Sequence, residues 1–125
     1  MKITAKLDHF NINVSELSRS ISFYENMLGL CEQKRVVAED GSYILVYLSD
    51  GASPFLLELT WLRDKEGNYE LGDNESHLCL RITQDYELAR EFYRQQGCLV
   101  FENHDMGLYF IEDPDGYWIE ILPQD

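Results

Sequence analysis

The chain has 125 residues, room for one compact domain, and its 45% hydrophobic and 26% charged residues are typical of a globular protein. Ten Lys and Arg stand against 23 Asp and Glu, and the resulting net charge of −13 argues against nucleic acid or an anionic membrane as a partner. Residues 1–7 lack the apolar core of a signal peptide, and no apolar run approaches the ~20 residues of a transmembrane helix. We therefore expect a cytoplasmic protein with reduced cysteines.

The first half of the chain predicts a strand, a helix and three further strands. Apolar and polar residues alternate over residues 7–14, as in a half-buried strand. Four apolar residues then share one helical stripe: Leu17, Ile21, Tyr24 and Leu28. We expect Ser15 to cap this helix and Gly29 to end it in a left-handed conformation. Three β-like runs follow: residues 31–38, 43–48 and 55–60.

The second half repeats this order. Residues 76–82 alternate, Thr83 is the expected cap of a helix that ends at Gly97, and the run 113–116 predicts a type I turn. Three β-like runs complete it: residues 98–102, 108–111 and 117–122. Each half is too small to bury a stable core alone. We predict one α+β domain of two βαβββ modules, with these approximate bounds: module one 5–62, linker 63–74 and module two 75–125.

Each half also places one His and one Glu at corresponding positions. His9 and His77 open the first strands, and Glu58 and Glu120 lie in the closing strands. Taken singly, a strand His is more often structural and a strand Glu more often points to solvent, but the repetition of both favours a ligand set. Two imidazoles and two carboxylates suit a divalent ion such as Ni²⁺, Zn²⁺, Co²⁺ or Fe²⁺. His104 has no counterpart and is expected in a surface loop.

Four motifs lie in order along the chain: Asp8-His9 before a helix with Phe23-Tyr24, the run 57–60, the run 69–72 before His77, and the run 112–120. In this combination the chain resembles the glyoxalase I family of the vicinal oxygen chelate superfamily. The resemblance implies sheets that curl around a metal, with Ni²⁺ or Co²⁺ favoured over Zn²⁺, and a homodimer with shared active sites. The implied ligands are the four repeated residues: His9, Glu58, His77 and Glu120.

The resemblance also implies an activity. Members of this family isomerise the hemithioacetal of methylglyoxal and a small thiol to a 2-hydroxyacyl thioester. Glu120 is the expected base, and Glu58 is the expected ligand that can also carry a proton. Glu58 separates the lyases from relatives that use two His and one Glu, and from epimerases, which usually carry Gln there. A superfamily epimerase and a non-catalytic small-molecule binding protein are the alternatives.

Two residues depart from the family pattern in the implied substrate pocket. Asn13 stands where the family typically has Arg, and Leu62 stands where it typically has Asn. Both family residues help to hold glutathione, so the sequence supports the metal chemistry better than the identity of the thiol. The candidate substrate-binding residues are Asn13, Arg81, which shares a strand face with His77, and Met106.

Overall fold

The computed structural model describes residues 1–125 and contains two repeats of one element order. The first repeat comprises β1 (His9–Asn13), α1 (Leu17–Leu28), β2 (Cys31–Val37), β3 (Tyr43–Ser49) and β4 (Leu56–Leu62). The second comprises β5 (Leu78–Ile82), α2 (Tyr86–Gln95), β6 (Leu99–Asn103), β7 (Leu108–Glu112) and β8 (Trp118–Pro123). The predicted α+β class and βαβββ order are confirmed. The chain divides into unit 1, Met1–Tyr69, and unit 2, Glu70–Asp125.

Each unit contains one four-stranded sheet, and the two sheets share a topology. Their strand orders are β1-β4-β3-β2 and β5-β8-β7-β6. The first and last strands of each unit pair in parallel, while all other neighbours are antiparallel. A parallel pair needs a long crossover connection, which a helix and two strands supply in each unit.

One face of each sheet is apolar and buried. The side chains that are almost fully buried in unit 1 include Val14, Tyr24, Val46, Leu48 and Leu59. Their counterparts in unit 2 are Tyr109, Ile111, Ile119 and Ile121. Those in the strands occupy alternate positions, so the residues between them lie on the opposite face of each sheet. That opposite face carries the repeated His and Glu residues.

The first helix begins one residue later than Ser15 would require. Its N-cap is Glu16, whose side chain makes no capping hydrogen bond. The Ser15 hydroxyl instead accepts a hydrogen bond of 3.0 Å from Arg19, so the prediction that Ser15 caps α1 was wrong. Gly29 does end the helix, with a φ of 67°, as predicted.

Neither α1 nor α2 has the length and apolar composition of a membrane-spanning helix.

The N-cap of the second helix lies two residues after the predicted cap, Thr83. Asp85 is the N-cap, and its carboxylate accepts from the Leu88 N–H at 2.9 Å. Thr83 lies outside the helix, so its prediction as a cap was wrong. A carboxylate at this position satisfies a backbone donor and also interacts favourably with the helix dipole, which explains why the helix begins there.

Both sheets end in an exposed edge strand that carries an irregularity. The register of β2 against β3 shifts between Glu32 and Lys34, and the register of β6 against β7 shifts between Leu99 and Phe101. Such irregularities locally disrupt the ladder of hydrogen bonds. The shift in β2 aligns Lys34 with Tyr47 on the neighbouring strand.

The buried face predicts a difference between two leucines of β4. Leu59 is fully buried and Leu62 is 39% exposed, so a cavity forms only at Leu59. We expect Leu59→Ala to lower the free energy of unfolding by ~2–5 kcal/mol and Leu62→Ala by less than ~1 kcal/mol. Urea denaturation of both variants measures this difference. Equal losses would contradict the assignment of the core face.

Candidate functional site

The pairing of β1 with β4 brings His9 close to Glu58. Asn11 is the register partner of Glu58, and His9 precedes it by two residues on the same face. The His9 Nε2 atom lies 3.8 Å from Glu58 Oε1, while its Nδ1 atom lies 2.6 Å from Asp8 Oδ2. The interaction with His9 holds the pKa of the Asp8 carboxyl below its usual value. Asp8 thus orients the ring so that Nε2 faces Glu58.

Tyr47 completes the surroundings of Glu58. It is the register partner of Glu58 on β3. Interaction with the Glu58 carboxylate, assisted by desolvation, raises the pKa of Tyr47 to about 12, so the phenol stays protonated at neutral pH. The sequence analysis missed Tyr47. The signal was its place in the apolar, β-like run 43–48. That place identifies the neighbour of Tyr47 only when the strand register is known.

Glu58 is a buried carboxylate without a permanent cation beside it. It is 8% exposed, and the polar side chains that reach it are those of His9 and Tyr47. Removing a carboxylate from water costs several kcal/mol unless it is paired, hydrogen-bonded or bound to a metal. This cost favours a positive charge close to Glu58.

Unit 2 repeats the arrangement on β5 and β8. The His77 Nε2 atom lies 3.1 Å from Glu120 Oε1, within hydrogen-bond distance. Glu120 is the register partner of Cys79 on β5 and of Phe110 on β7. The His77 ring meets the Phe110 ring edge-on, with centroids 5.1 Å apart. The same strand positions therefore supply a His and a Glu in both units.

Cys79 lies beside Glu120 and keeps its proton. Burial raises the pKa of the Cys79 thiol to about 11, and the negative charge of Glu120 adds to this increase. A thiol is a weak hydrogen-bond donor and is a poor nucleophile while protonated. Cys79 therefore serves as a neighbour of Glu120 rather than as an attacking group.

Aromatic side chains surround the pair in unit 2. Phe110 packs against Trp118 with ring centroids 5.4 Å apart, and Phe101 stacks on Trp118 at 6.2 Å. Phe101 is 45% exposed. In unit 1, by contrast, the Asn11 amide donates to Asn13 at 3.1 Å, and the Thr60 hydroxyl donates to Asn11. One half-site is thus lined with amides and hydroxyls, and the other with aromatic carbon.

The three predicted substrate-binding residues lie in different settings. Asn13 is half-buried and belongs to the hydrogen-bonded group of unit 1. Arg81 donates to the Pro123 carbonyl at 2.8 Å and lies 3.2 Å from the Asp125 carboxylate. Met106 is 71% exposed in the turn between β6 and β7, where its N–H is bonded to Asn103. His104 is exposed in the same turn, as expected.

The two pairs have the chemistry that a divalent ion requires. Imidazole nitrogen and carboxylate oxygen bind such ions at ~2.0–2.2 Å. The nitrogen and oxygen of each pair are 3.8 Å apart in unit 1 and 3.1 Å apart in unit 2. Both distances are shorter than the sum of two such bonds, so one ion could contact both atoms of a pair. The exposed second nitrogen of His9 is held by Asp8, as is usual for a ligating histidine. Each pair offers two ligands, and no group of three or more His, Cys, Asp or Glu side chains gathers within the chain. Each pair by itself therefore offers fewer ligands than the four that a zinc-like ion usually takes.

Comparison with known proteins identifies relatives over almost the whole chain. A model of the Glyoxalase/Bleomycin resistance protein/Dioxygenase superfamily matches residues 6–121. A lactoylglutathione lyase of Neisseria meningitidis is 33% identical over 124 residues, which cover 94% of this chain and 89% of that protein. A probable lactoylglutathione lyase of Synechocystis is 30% identical over 123 residues, which cover 91% of this chain and 92% of the relative.

A solved structure agrees with these sequence matches. The trypanothione-dependent glyoxalase I of Leishmania major is similar in fold, with a TM-score of 0.83 and 27% sequence identity. The match covers 96% of this chain and 87% of that one. The family model, the curated relatives and this neighbour agree with one another. The chain belongs to the glyoxalase I, or lactoylglutathione lyase, family of the glyoxalase/bleomycin resistance protein/dioxygenase superfamily.

Proposed function

We propose that this protein is a metal-dependent lyase that isomerises the hemithioacetal of methylglyoxal and a small thiol to a 2-hydroxyacyl thioester. Its relatives are named lactoylglutathione lyases, and such names support a reaction of this class. The observation that carries the proposal is the buried Glu58 beside His9, repeated as Glu120 beside His77. Two carboxylates beside two imidazoles can serve both as ligands and as proton carriers.

Four residues would hold the ion in this proposal: His9, Glu58, His77 and Glu120. Their mixed nitrogen and oxygen donors accept Ni²⁺, Co²⁺ or Zn²⁺, and family resemblance favours the first two. A bound divalent ion supplies a Lewis acid that stabilises the negative charge developing on the two adjacent substrate oxygens. It also supplies the positive charge that the buried Glu58 lacks within its unit.

The isomerisation moves one proton between neighbouring carbons. Glu120 removes the proton from the carbon that bears the hydroxyl and the sulfur, and it returns a proton to the former carbonyl carbon. The hydroxyl oxygen loses its proton and becomes the thioester carbonyl, while the former carbonyl oxygen gains a proton and becomes the new hydroxyl. Protons are therefore conserved and no external oxidant or reductant is needed. Burial favours this role, because 17% exposure of the Glu120 side chain limits competition from water.

We also propose that the active form is a homodimer in which each site draws ligands from both chains. The support is that each unit contributes half of a ligand set, and that enzymes of this family are expected to share sites in this way. A two-fold axis would then generate two equivalent sites. We do not expect nucleic acid or an anionic membrane as a partner, because the net charge of −13 would repel both.

The thiol is the part of the substrate for which this chain differs from its family. Asn13 replaces an expected cation, and Leu62 replaces an expected amide. Arg81 supplies a cation in unit 2, and Met106 supplies an exposed apolar side chain. We propose that Asn13, Arg81 and Met106 contact the thiol. Glutathione should then be a slow substrate with a high KM, and another small thiol a better one.

The metal proposal predicts a stoichiometry and a stability change. A purified chain reconstituted with Ni²⁺ should retain about one ion per chain, and chelation should lower the melting temperature because the ion binds only the folded state. Elemental analysis and a thermal melt with and without a chelator measure both effects. Failure to retain Ni²⁺, Co²⁺, Zn²⁺, Mn²⁺ or Fe²⁺ would contradict the proposal.

The shared site predicts recovery of activity when two inactive variants are mixed. His9→Ala and His77→Ala should each be inactive alone, since every site lacks one histidine. In a mixed dimer one site would lack both histidines and the other would keep all four ligands. An equal mixture should therefore recover about a quarter of wild-type activity, since half of the dimers are mixed. No recovery, with mixed dimers confirmed by native mass spectrometry, would assign all four ligands to one chain.

The base assignment predicts a selective loss in kcat. Glu120→Gln keeps an oxygen that can bind the ion but removes the proton acceptor, so kcat should fall by ~10²–10⁴ while metal is retained. Glu70 is an exposed glutamate of the same unit. The control variant Glu70→Gln should have the kcat of the wild type. Nuclear magnetic resonance of the substrate and product during turnover in D₂O monitors the proton transfer and detects slow turnover. Full activity of a metal-loaded Glu120→Gln variant would reject Glu120 as the base.

A further inference from the structure

The register shift in β2 decides which of its side chains lies on the polar face of unit 1. Without the shift Gln33 would lie opposite Tyr47, but with it Lys34 is the register partner of Tyr47. Tyr47 is in turn the register partner of Glu58, and register partners share a face of the sheet. Irregularities of this kind commonly redirect a side chain beside a functional site. Lys34 therefore lies on the face that carries Glu58.

Lys34 ends a row of four register partners that crosses the sheet of unit 1. The row consists of Asn11, Glu58, Tyr47 and Lys34. The equivalent row of unit 2 consists of Cys79, Glu120, Phe110 and Phe101. A similar shift in β6 places Phe101 in its row. Because unit 2 has an aromatic ring at the position of Lys34, the fold itself does not require a cation there.

The Lys34 ammonium is held over an aromatic ring near the His9–Glu58 pair. It lies 4.5 Å from the centroid of the Tyr47 ring, and the same ring meets the His9 ring edge-on with centroids 5.5 Å apart. The strands of Glu58 and Lys34 are two apart in the sheet, so their backbones are ~10 Å from each other. The ammonium extends back over the strand between them. A positive charge is thus fixed near Glu58 on the exposed side of the Tyr47 ring.

The charge of Lys34 is not used within the chain. Arg35, the next residue, donates to the Glu32 carboxylate at 2.8 Å and 3.0 Å, whereas Lys34 forms no salt bridge with a side chain. This is notable in a chain with 23 acidic and only 10 basic residues. An ammonium group forms its strongest hydrogen bonds with carboxylates and phosphates. Lys34 is therefore available to an anionic group of a bound molecule.

We propose that Lys34 is a specificity-determining residue that binds a carboxylate on the thiol part of the substrate. This inference rests on the proposed function and deepens it, because it names the class of thiol: a small thiol with a carboxylate a few bonds from its sulfur. The methylglyoxal part offers only a methyl group beyond its two oxygens, so the thiol is the part that can carry the charge. A short thiol matches the separation between Lys34 and Glu58.

The first test compares two thiols that differ in charge. N-acetylcysteine carries a carboxylate, and N-acetylcysteine amide carries a neutral amide of nearly the same size. In the wild type, kcat/KM for the methylglyoxal hemithioacetal of the acid should exceed that of the amide ~10-fold, because a charge-assisted hydrogen bond is gained. In Lys34→Gln the ratio should fall to within about twofold. Thioester formation, followed by ultraviolet absorbance, gives these values.

Two further variants serve as controls for this comparison. Lys34→Arg keeps the positive charge and should keep a preference for the acid. Arg35→Gln removes the neighbouring charge, but Arg35 is the register partner of Val46 on the opposite face, so this variant should have the ratio of the wild type. A wild type without a preference for the acid would overturn the inference. A Lys34→Gln variant that keeps the full preference would overturn it as well.

The second test measures binding without turnover. The S-methyl thioethers of N-acetylcysteine and of its amide cannot form a hemithioacetal, so the protein with Zn²⁺ added can be titrated with each by nuclear magnetic resonance. The acid should bind the wild type ~10-fold more tightly than the amide, and Lys34→Gln should bind the two equally. Equal binding of both to the wild type, or binding of neither, would overturn the role of Lys34.

The two tests separate the failure of this inference from the failure of the proposed function. A wild type that turns over neither hemithioacetal with any of the proposed ions would overturn the proposed function. The thioether titration would still decide whether Lys34 binds a carboxylate, because it requires no reaction.

Discussion

The arrangement of each unit depends on a parallel pairing between its first and last strands. These strands are distant in sequence, and their pairing alone places a histidine and a glutamate on the same face of one sheet. A slip of one residue in this register would turn every side chain of the slipped strand to the other face. The buried apolar face opposes such a slip, because Leu59 or Ile119 would then be exposed to water. Burial of the apolar face therefore fixes the strand register, and the register in turn positions the His and Glu side chains on the opposite face.

Much of this arrangement could be predicted from the sequence, because it follows from short periodic patterns. Alternation in the strands separated His9 and Glu58 from the apolar residues, and the repeat identified their counterparts. The start of α1 was less predictable, because the residue at its N-cap, Glu16, makes no side-chain capping hydrogen bond. A cap of this kind lacks the residue-type signal on which the prediction relied. Tyr47 could not be identified either, because its neighbour depends on the register of strands separated by an irregular loop.

The two units have kept one geometry and acquired different chemistry. In unit 1 a buried carboxylate lies among a phenol, amides and a hydroxyl, all of which can donate hydrogen bonds. In unit 2 the equivalent carboxylate lies among aromatic rings and a thiol. Equivalent carboxylates in the two units therefore have different neighbours, although the strand positions that supply them are the same.

The irregular edge strands of the two sheets have different consequences for association. In β2 the register shift is accompanied by charged side chains, including Lys34 and Arg35, which oppose the addition of a strand from another molecule. In β6 the shift occurs among Leu99, Val100 and Phe101, and the last two are 37% and 45% exposed. Because an exposed apolar edge can template intermolecular β-pairing, self-association through strand addition would begin in the second unit, and a single lysine at position 100 would suffice to discourage it.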